Sequence, residues 1–157
     1  MASPQGSQSF GSNNKVTIWD HDAGTTAATL VSPDGGTTVR SQDMRDFKHF
    51  TLIVMVTIAT TGPTLVEIVA ADDAALTTGV NQIKTSGAVV MDAVGDWVML
   101  ECTAEEIQQE STDGSDTNRY VGGRITSGNN GDESVAVYIA GQARFPQLNL
   151  TPVSTIA

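Results

Sequence analysis

The sequence predicts an all-β protein: an antiparallel β-sandwich, of which the jelly roll is one form, with at most one short helix. Short segments of alternating apolar and polar residues recur along the 157-residue chain, separated by turn-forming residues. Charged residues make up only 17% of the chain, so the surface has to rely on Thr, Ser, Gly, Asn and Gln. Such a composition is typical of β-rich proteins rather than helical bundles.

The first two strands are predicted at VTIWDH, residues 16–21, and at ATLVS, residues 28–32. The sequence between them, DAGTTA, is rich in turn-forming residues, and SPDGG, residues 32–36, is a strong turn signal. We therefore expect two short strands, each followed by a loop.

The longest apolar segment, FKHFTLIVMVTIATTG at residues 47–62, predicts a central strand. One set of alternate residues is expected to face the core: Leu52, Val54, Val56 and Ile58. The other face carries Thr51, Ile53, Met55 and Thr57. Because apolar groups occur on both faces, the segment fits a position inside a sheet.

The next two strands alternate more simply. A TTGP turn leads into TLVEIVA, residues 64–70, whose Val66, Ile68 and Ala70 are expected to face the core while Glu67 faces outward. In WVMLECT, residues 97–103, the same alternation directs Val98, Leu100 and Cys102 inward and Glu101 outward.

The end of the chain predicts one short helix and one hairpin. In TAEEIQQE, Thr103 and Glu106 have the spacing of a capping box, which supports a helix of about one or two turns. RYVGGRIT, residues 119–126, and ESVAVYIA, residues 133–140, flank the Gly- and Asn-rich sequence SGNNGD. That pattern favours a β-hairpin.

We expect a single domain, residues 15–147, with an extension at each end. Residues 1–14 contain Ser, Gly, Asn and Gln with one aromatic, Phe10, and cannot bury enough apolar area to offset their ordering entropy. They predict a flexible arm that becomes ordered on assembly, with Phe10 as its anchor. Residues 148–157 are mildly apolar and predict an extended tail suited to lying against another subunit.

No catalytic, cofactor-binding or metal-binding residue is predicted. His21 lies between two aspartates, but consecutive strand residues point to opposite faces, so both carboxylates cannot join it. His49 has no acidic or nucleophilic neighbour in the sequence, and DGSD at residues 113–116 lacks the spacing of a calcium loop. The single Cys102 excludes an internal disulfide and a Cys-based zinc site, and its position predicts a small core residue.

Charge and hydropathy argue against nucleic acid and membrane as partners. The net charge is −10, and the eight Lys and Arg residues do not cluster, which argues against nucleic-acid binding. No apolar run approaches the ~20 residues of a membrane helix. Residues 1–14 lack the basic start and apolar core of a secretion signal, so we expect synthesis in a cytoplasm.

Four segments between residues 47 and 147 resemble a group of small virion proteins encoded by tailed bacteriophages. FKHFTLIVMVTIATTG is similar to the first long core strand of that group, and TLVEIVAADDAA to the strand that follows. RYVGGRIT resembles its "RYV" strand, although the second Gly of VGG departs from the pattern. VAVYIAGQARFPQ resembles its closing strand, which ends in Ala-Arg-aromatic-Pro.

The corner at the end of that closing strand has its own physical rationale. Pro146 cannot donate a ladder hydrogen bond, so it stops the strand. Arg144 and Phe145 then lie at the sheet edge, where they can anchor a loop or a partner. The alternative is that Phe145 plugs the end of the sandwich while Arg144 is solvated. The candidate partner-binding residues are Phe10, Arg144, Phe145, Pro146, Leu148 and Leu150.

The resemblance implies a non-enzymatic capsid decoration (cement) protein without cofactors. It would bind the major capsid protein on the outer surface of the head and associate with itself as a homotrimer, after synthesis in the bacterial host cytoplasm. Two alternatives stay open: a phage tail or head–tail connector component and, in another class, a carbohydrate-binding β-sandwich module. The presence of only two tryptophans, Trp19 and Trp97, weighs against the latter.

Overall fold

The computed structural model describes residues 14–22, 28–31, 41–109 and 118–142, with the backbone alone at residues 20–22 and 28–30. Within these residues the strands are β1 Lys15–Asp22, β2 Ala28–Leu30, β3 Gln42–Asp43, β4 His49–Ile58, β5 Pro63–Ala71, β6 Asn81–Thr85, β7 Trp97–Thr103, β8 Tyr120–Ser127 and β9 Glu133–Gly141. A short helix, α1 Ala104–Gln109, follows β7. The expected all-β class with one short helix is therefore confirmed for the described residues.

The strands form two sheets in which every paired neighbour is antiparallel. One sheet has the order β1-β9-β4-β7, and the other has the order β2-β8-β5-β6. The two-residue strand β3 pairs with β8 at Val121 and Tyr120, further along the edge that β2 occupies at residues 124–126. β2 and β3 thus share one edge of β8.

This strand order is that of a jelly roll. If the eight strands other than β3 are lettered B to I in chain order, the sheets read B-I-D-G and C-H-E-F. That arrangement interleaves early and late strands in both sheets, as two Greek keys do. The β-sandwich predicted from the sequence is therefore of the jelly-roll form.

Side chains from both sheets fill the space between them. The predicted core residues Leu52, Val54, Val66, Ile68 and Ala70 are all fully buried. The inward set of β7 is also confirmed: Cys102 is buried, Val98 and Leu100 pack against the core, and Glu101 is exposed.

Ile58 is a correction to the predicted core. Its side chain is 47% exposed, because the register between β4 and β9 shifts between Val56 and Ile58 and interrupts the alternation. A residue inserted at such a shift turns the following side chains to the other face. Val56, just before the shift, remains buried as predicted.

The predicted capping box is present at the start of α1. The backbone N–H of Glu106 donates to the Thr103 hydroxyl at 3.2 Å, and the backbone N–H of Thr103 donates to the Glu106 carboxylate at 2.9 Å. Glu106 also pairs with Lys84. The hydrogen bond from Lys84 contributes most to lowering the pKa of Glu106, and the backbone N–H of Thr103 lowers it further. The reciprocal bonds satisfy N–H groups that a helix start otherwise leaves unpaired.

The predicted hairpin between β8 and β9 is wrong. The two strands belong to different sheets, so the chain between them crosses from one layer of the sandwich to the other. A crossing connection needs the same turn residues and the same alternating strands as a hairpin, which is why the sequence does not distinguish them. The inner faces of β8 and β9 meet across the core instead of side by side.

Asp132 holds this crossing in place. Its side chain is buried, and one carboxylate oxygen accepts the backbone N–H groups of Thr60, Thr61 and Gly62 at 2.7, 3.1 and 3.0 Å. The other oxygen accepts the N–H of Asn129 at 2.9 Å. The β4–β5 turn and the β8–β9 crossing are thereby tied to one carboxylate. Burial raises the pKa of Asp132, but these four N–H donors outweigh it and lower the pKa.

The second glycine of VGG, Gly123, occupies a close approach between the sheets. A Cβ at this position would lie 3.0 Å from Val31 Cγ2 and 3.2 Å from the methyl carbons of Leu52. The Gly123 N–H donates to the hydroxyl of Tyr138 at 2.7 Å, which links the two sheets inside the core. Burial raises the pKa of Tyr138.

Candidate interaction surface

The sheet β1-β9-β4-β7 has an apolar outer face. On each strand the side chains between the core-facing ones point away from the sandwich. We define the outer face by the following residues: Val16, Ile18, Thr51, Ile53, Met55, Trp97, Met99, Glu101, Val135, Val137 and Ile139. Glu101 is the only charged residue of this set, and on β1 the residue that follows Ile18 in the alternation is Asp20, which lies opposite Val135.

The strand registers place the central residues of the outer face in a row across the whole sheet. Ile18 lies opposite Val137, Val137 opposite Ile53, and Ile53 opposite Met99. Such directly paired residues have Cβ atoms about 5 Å apart. The four side chains therefore form one continuous apolar stripe.

The adjacent row is the most exposed part of the outer face. Val135 lies opposite Met55, and Met55 lies opposite Trp97. Trp97 is 63% exposed, Met99 47% and Met55 40%, so three large apolar side chains next to one another face solvent. Single exposed apolar residues are ordinary, whereas a contiguous group marks a contact surface.

The strand that carries Trp97 and Met99 is also an edge of its sheet. Within the described residues, β7 pairs with β4 and with no strand on its other side. Proteins protect exposed edges with Lys, Pro or bulges. The sequence of β7, WVMLECT, contains neither Lys nor Pro, and its register with β4 is continuous from Trp97 to Thr103.

The loop before β7 extends this apolar region. Val94 is 70% exposed and lies in a segment that backbone hydrogen bonds fix to β4. Gly95 N–H donates to the carbonyl of Val56 at 2.9 Å, and Val56 N–H donates to the carbonyl of Asp96 at the same distance. Gly95 has a φ of +93°, a conformation that glycine adopts without strain. The loop thus presents Val94 from a fixed position three residues before Trp97 in the chain.

The outer face of the other sheet is different, because a loop covers part of it. Val69 and Ala71 of β5 are fully buried there, under Leu76 from the following loop and beside Tyr120. The side chain of Asp73 holds that loop by accepting the backbone N–H of Thr77 at 2.8 Å. The two sheets therefore differ: one outer face is partly covered by a loop, whereas no described loop covers the other.

Glu67 points away from the core, as predicted, and its side chain is nevertheless buried. Arg124, its directly paired neighbour on β8, donates from Nε to the Glu67 carboxylate at 2.7 Å. A buried carboxylate needs such a partner, since an unpaired one would be costly.

A cavity of about 370 Å³ lies beside α1 and the start of β8. It is lined by Met44, Arg45, Asp72, Ala104, Ile107, Gln108, Asn118 and Arg119. Two of its polar side chains are engaged within the protein: Asn118 donates to the carbonyl of Ile107 at 3.0 Å, and Arg119 donates from Nε to Asp43 at 3.0 Å. Among the described residues of the lining, no nucleophile is paired with a base.

Asp43 is the most strongly perturbed carboxylate near that cavity. Partial burial raises its pKa, but hydrogen bonds from Arg119 and Arg45 outweigh burial and lower the pKa to about 2. Arg119 also stacks over the Tyr120 ring, with its guanidinium carbon 4.8 Å from the ring centroid. These charges form a structural ion-pair cluster that fixes β3 to the start of β8.

The described residues contain no group of three or more His, Cys, Asp or Glu side chains that could hold a metal ion. Cys102 is buried, as predicted. Burial, together with the nearby charge of Glu106, raises the pKa of the Cys102 thiol to about 12. None of the helices in the described part of the chain has the length and apolar character to cross a membrane.

The structure does not test the partner-binding residues predicted from the sequence. Phe10, Arg144, Phe145, Pro146, Leu148 and Leu150 all lie outside the described residues, as do SPDGG and DGSD. The described part of β9 ends at Gly141, and Gln142 then adopts a positive φ of 53°.

Sequence reasoning missed the outer face, although its signal was present. The outward positions of WVMLECT are Trp97, Met99, Glu101 and Thr103, and the first two are large and apolar. Apolar residues on both faces of residues 47–62 predict a central position, which is confirmed, because β4 lies between β9 and β7. A central strand nevertheless needs a covering layer to bury both faces, and no such layer covers Met55 within the described residues.

Comparisons with known proteins give a loose structural likeness. No protein-family profile and no curated protein matches the sequence. Similar solved structures include a chain of the Triatoma virus empty capsid, at 10% identity and a TM-score of 0.35, covering 91% of this chain and 96% of that one. A chain of Triatoma virus matches at 10% identity and a TM-score of 0.35, covering 94% and 73%.

A chain of the honeybee sacbrood virus in an expansion state matches at 9% identity and a TM-score of 0.34, covering 99% of this chain and 97% of that one. The superpositions are too loose and the identities too low to transfer a function from these proteins.

Proposed function

We propose that this chain is a structural protein of a virion, and in particular that it decorates the head of a tailed bacteriophage by binding the major capsid protein. One observation carries the proposal: a hydrogen-bonded jelly roll leaves one sheet face apolar and exposed. An exposed patch of this kind is a liability for a protein that acts alone, and it suits a protein that works within an assembly.

The resemblance of residues 47–147 to small phage virion proteins supports the narrower part of the proposal. In this role the chain is made in the bacterial cytoplasm and attaches to the outer surface of the head. It has no enzymatic activity and associates with itself as well as with the major capsid protein. Phe10, the corner at residues 144–146, and Leu148 and Leu150 then contact neighbouring subunits and add to the area buried.

The exposed Trp97 is the one observation in favour of a carbohydrate-binding module, because an accessible aromatic ring can stack on a sugar. Sugar sites also need convergent polar groups beside that ring. The strand neighbours of Trp97 are instead the apolar Met55 and Met99. The virion role therefore explains the exposed Trp97 better, because a protein contact does not require polar groups beside the ring.

The proposal is tested on purified phage particles. Mass spectrometry of separated heads and tails should find this chain in the heads, and particle imaging should locate it on their outer surface. Heads stripped of the chain should rupture at a lower temperature, and adding it back should restore their stability. Heads that contain none of it would refute the proposal, and its presence only in tails would favour the tail or connector alternative.

An enzyme screen gives an independent check on the non-enzymatic part. Turnover of esterase, glycosidase, peptidase or phosphatase substrates should stay at background. Activity that disappears when His21 or His49 is replaced by Ala would contradict this part of the proposal.

A further inference from the structure

We infer that the outer face is a self-contact, which packs against the same face of a second copy of this chain about a twofold axis. The inference builds on the proposed function by naming the partner of this face. It depends on the described residues of β1, β4, β7 and β9, and on the net charge of the chain.

The charge of the chain restricts where two copies can approach each other. Each copy carries a net charge of −10, so like charges oppose association over most of the surface. The charged residues of this sheet lie away from the centre of the outer face: Glu101, whose carboxylate accepts the Thr51 hydroxyl at 3.3 Å, is at one corner, and Asp20 of β1 lies opposite Val135 at another. Two copies that meet through this face bury its uncharged central row and keep these acidic residues at the border.

The polarity of the rim suits such a contact. The outward residues at one end of the sheet are His49 and Thr103, and β9 begins at the other end with Glu133. An apolar centre with a polar border is the usual composition of a protein interface. Ile18, Met55, Trp97 and Met99 gather on this face, whereas other exposed apolar residues, such as Val80 and Val90, lie outside it. Two copies therefore bury the most apolar area when both use this face. A contact of this type is isologous and closes as a pair.

The dimensions of the sheet set the strength of this contact. Four strands about 4.8 Å apart, with two or three of these outward residues each, give a face of roughly 20 Å by 20 Å. Two such faces bury about 800 Å², which is half of the ~1,600 Å² of a standard interface. The pair should therefore be weak in dilute solution and strengthen only where copies are concentrated, as in a shell. The expected unit is a dimer and not the homotrimer that the resemblance to phage virion proteins implies.

Sedimentation equilibrium of the full chain tests this inference. From about 1 μM to about 1 mM the wild type should pass from monomer to dimer, as a contact of this small area predicts. Salt should strengthen the pair, because screening reduces repulsion between two acidic chains. An attachment held by opposite charges would instead weaken with salt.

Substitutions distinguish this face from other surfaces. Met99→Glu should raise the dimer dissociation constant at least about tenfold, since it puts a charge into the centre of the contact. Met99→Gln, similar in size and uncharged, should raise it by a smaller factor. The matched control is Gln82→Glu, which adds the same charge at an exposed position on the other sheet and should change the constant less than about twofold. Thermal melting confirms that each variant is folded.

Several results would overturn the inference. These are a wild type that stays monomeric at about 1 mM, a dimer unaffected by Met99→Glu, and a trimer as the closed unit. A full chain that stays monomeric while a form truncated after residue 147 associates would show that residues 148–157 cover the face instead. Absence of the chain from phage heads would refute the proposed function and leave the self-contact standing, so the two failures are distinguishable.

Discussion

Replacing Asp132 by Ala should destabilise the fold strongly, because one buried carboxylate ties together two connections of the sandwich. The substitution removes the acceptor of four backbone N–H groups and releases both connections at once. The Gly62 N–H lies in a buried environment, so water cannot easily replace the lost carboxylate.

The magnitude follows from these bonds. A hydrogen bond to a charged group contributes about 1.5–3 kcal/mol, so four independent bonds would sum to roughly 6–12 kcal/mol. The bonds share one carboxylate and are not independent, and the N–H groups of Thr61 and Asn129 can regain water. We therefore expect a loss of about 3–5 kcal/mol in the free energy of unfolding, which is large against the ~5–15 kcal/mol of a typical domain.

Urea denaturation measures this loss, and its pH dependence identifies the carboxylate as the cause. The pKa of Asp132 is lowered in the folded protein, so the unfolded chain takes up the proton first. The stabilisation is therefore fully present above the unfolded pKa of about 3.9 and is lost as pH falls through the lower folded value. Asp132→Asn, which keeps one oxygen acceptor, should lose less stability than Asp132→Ala.

A difference between wild type and Asp132→Ala below about 0.5 kcal/mol would refute the reasoning, because it would mean that water satisfies all four N–H groups. So would a difference that stays constant on acidification towards pH 2, since the contribution of an ionised carboxylate must shrink there.

Three further changes have defined outcomes. Gly123→Ala should cost about 1–3 kcal/mol in urea denaturation, because its Cβ would press on Val31 and Leu52; an unchanged midpoint would mean that the core relaxes freely. Tyr138→Phe should cost a similar ~1–3 kcal/mol by leaving the Gly123 N–H unpaired, and the amide exchange of Gly123 should accelerate. With a pKa of about 12, the Cys102 thiol should resist thiol reagents at neutral pH until the protein unfolds, so fast labelling of the native protein would contradict its burial.

Local features of the fold could be predicted from the sequence because they depend on contacts between residues that are close in the chain. Thr103 and Glu106 form the expected cap, since a capping box requires only neighbouring residues. Val66 and Ile68 are buried as alternation predicts, because β5 lies inside its sheet. In both cases the determining contacts are encoded within a few residues.

The remaining features depend on partners that are distant in the sequence. The strand after SGNNGD joins β1 and β4, and nothing in SGNNGD itself selects that sheet over the one that contains β8. Glu67 is buried because Arg124 lies beside it, 57 residues away in the chain. The outer face could not be predicted from the sequence because alternation shows only which side chains lie on the same side of a strand. It does not show whether another part of the protein covers that side.

The hydrogen bond between Tyr138 and Gly123 has a consequence for how the two layers are aligned. Two sheets joined only by apolar side chains can shear past each other by two residues and still present their apolar sides inward. Such a slide would separate the Tyr138 hydroxyl from the Gly123 N–H and leave a buried donor unpaired. The apolar pattern alone would allow several alignments of the two sheets. The hydrogen bond between Tyr138 and Gly123 is satisfied in only one of them and therefore selects it.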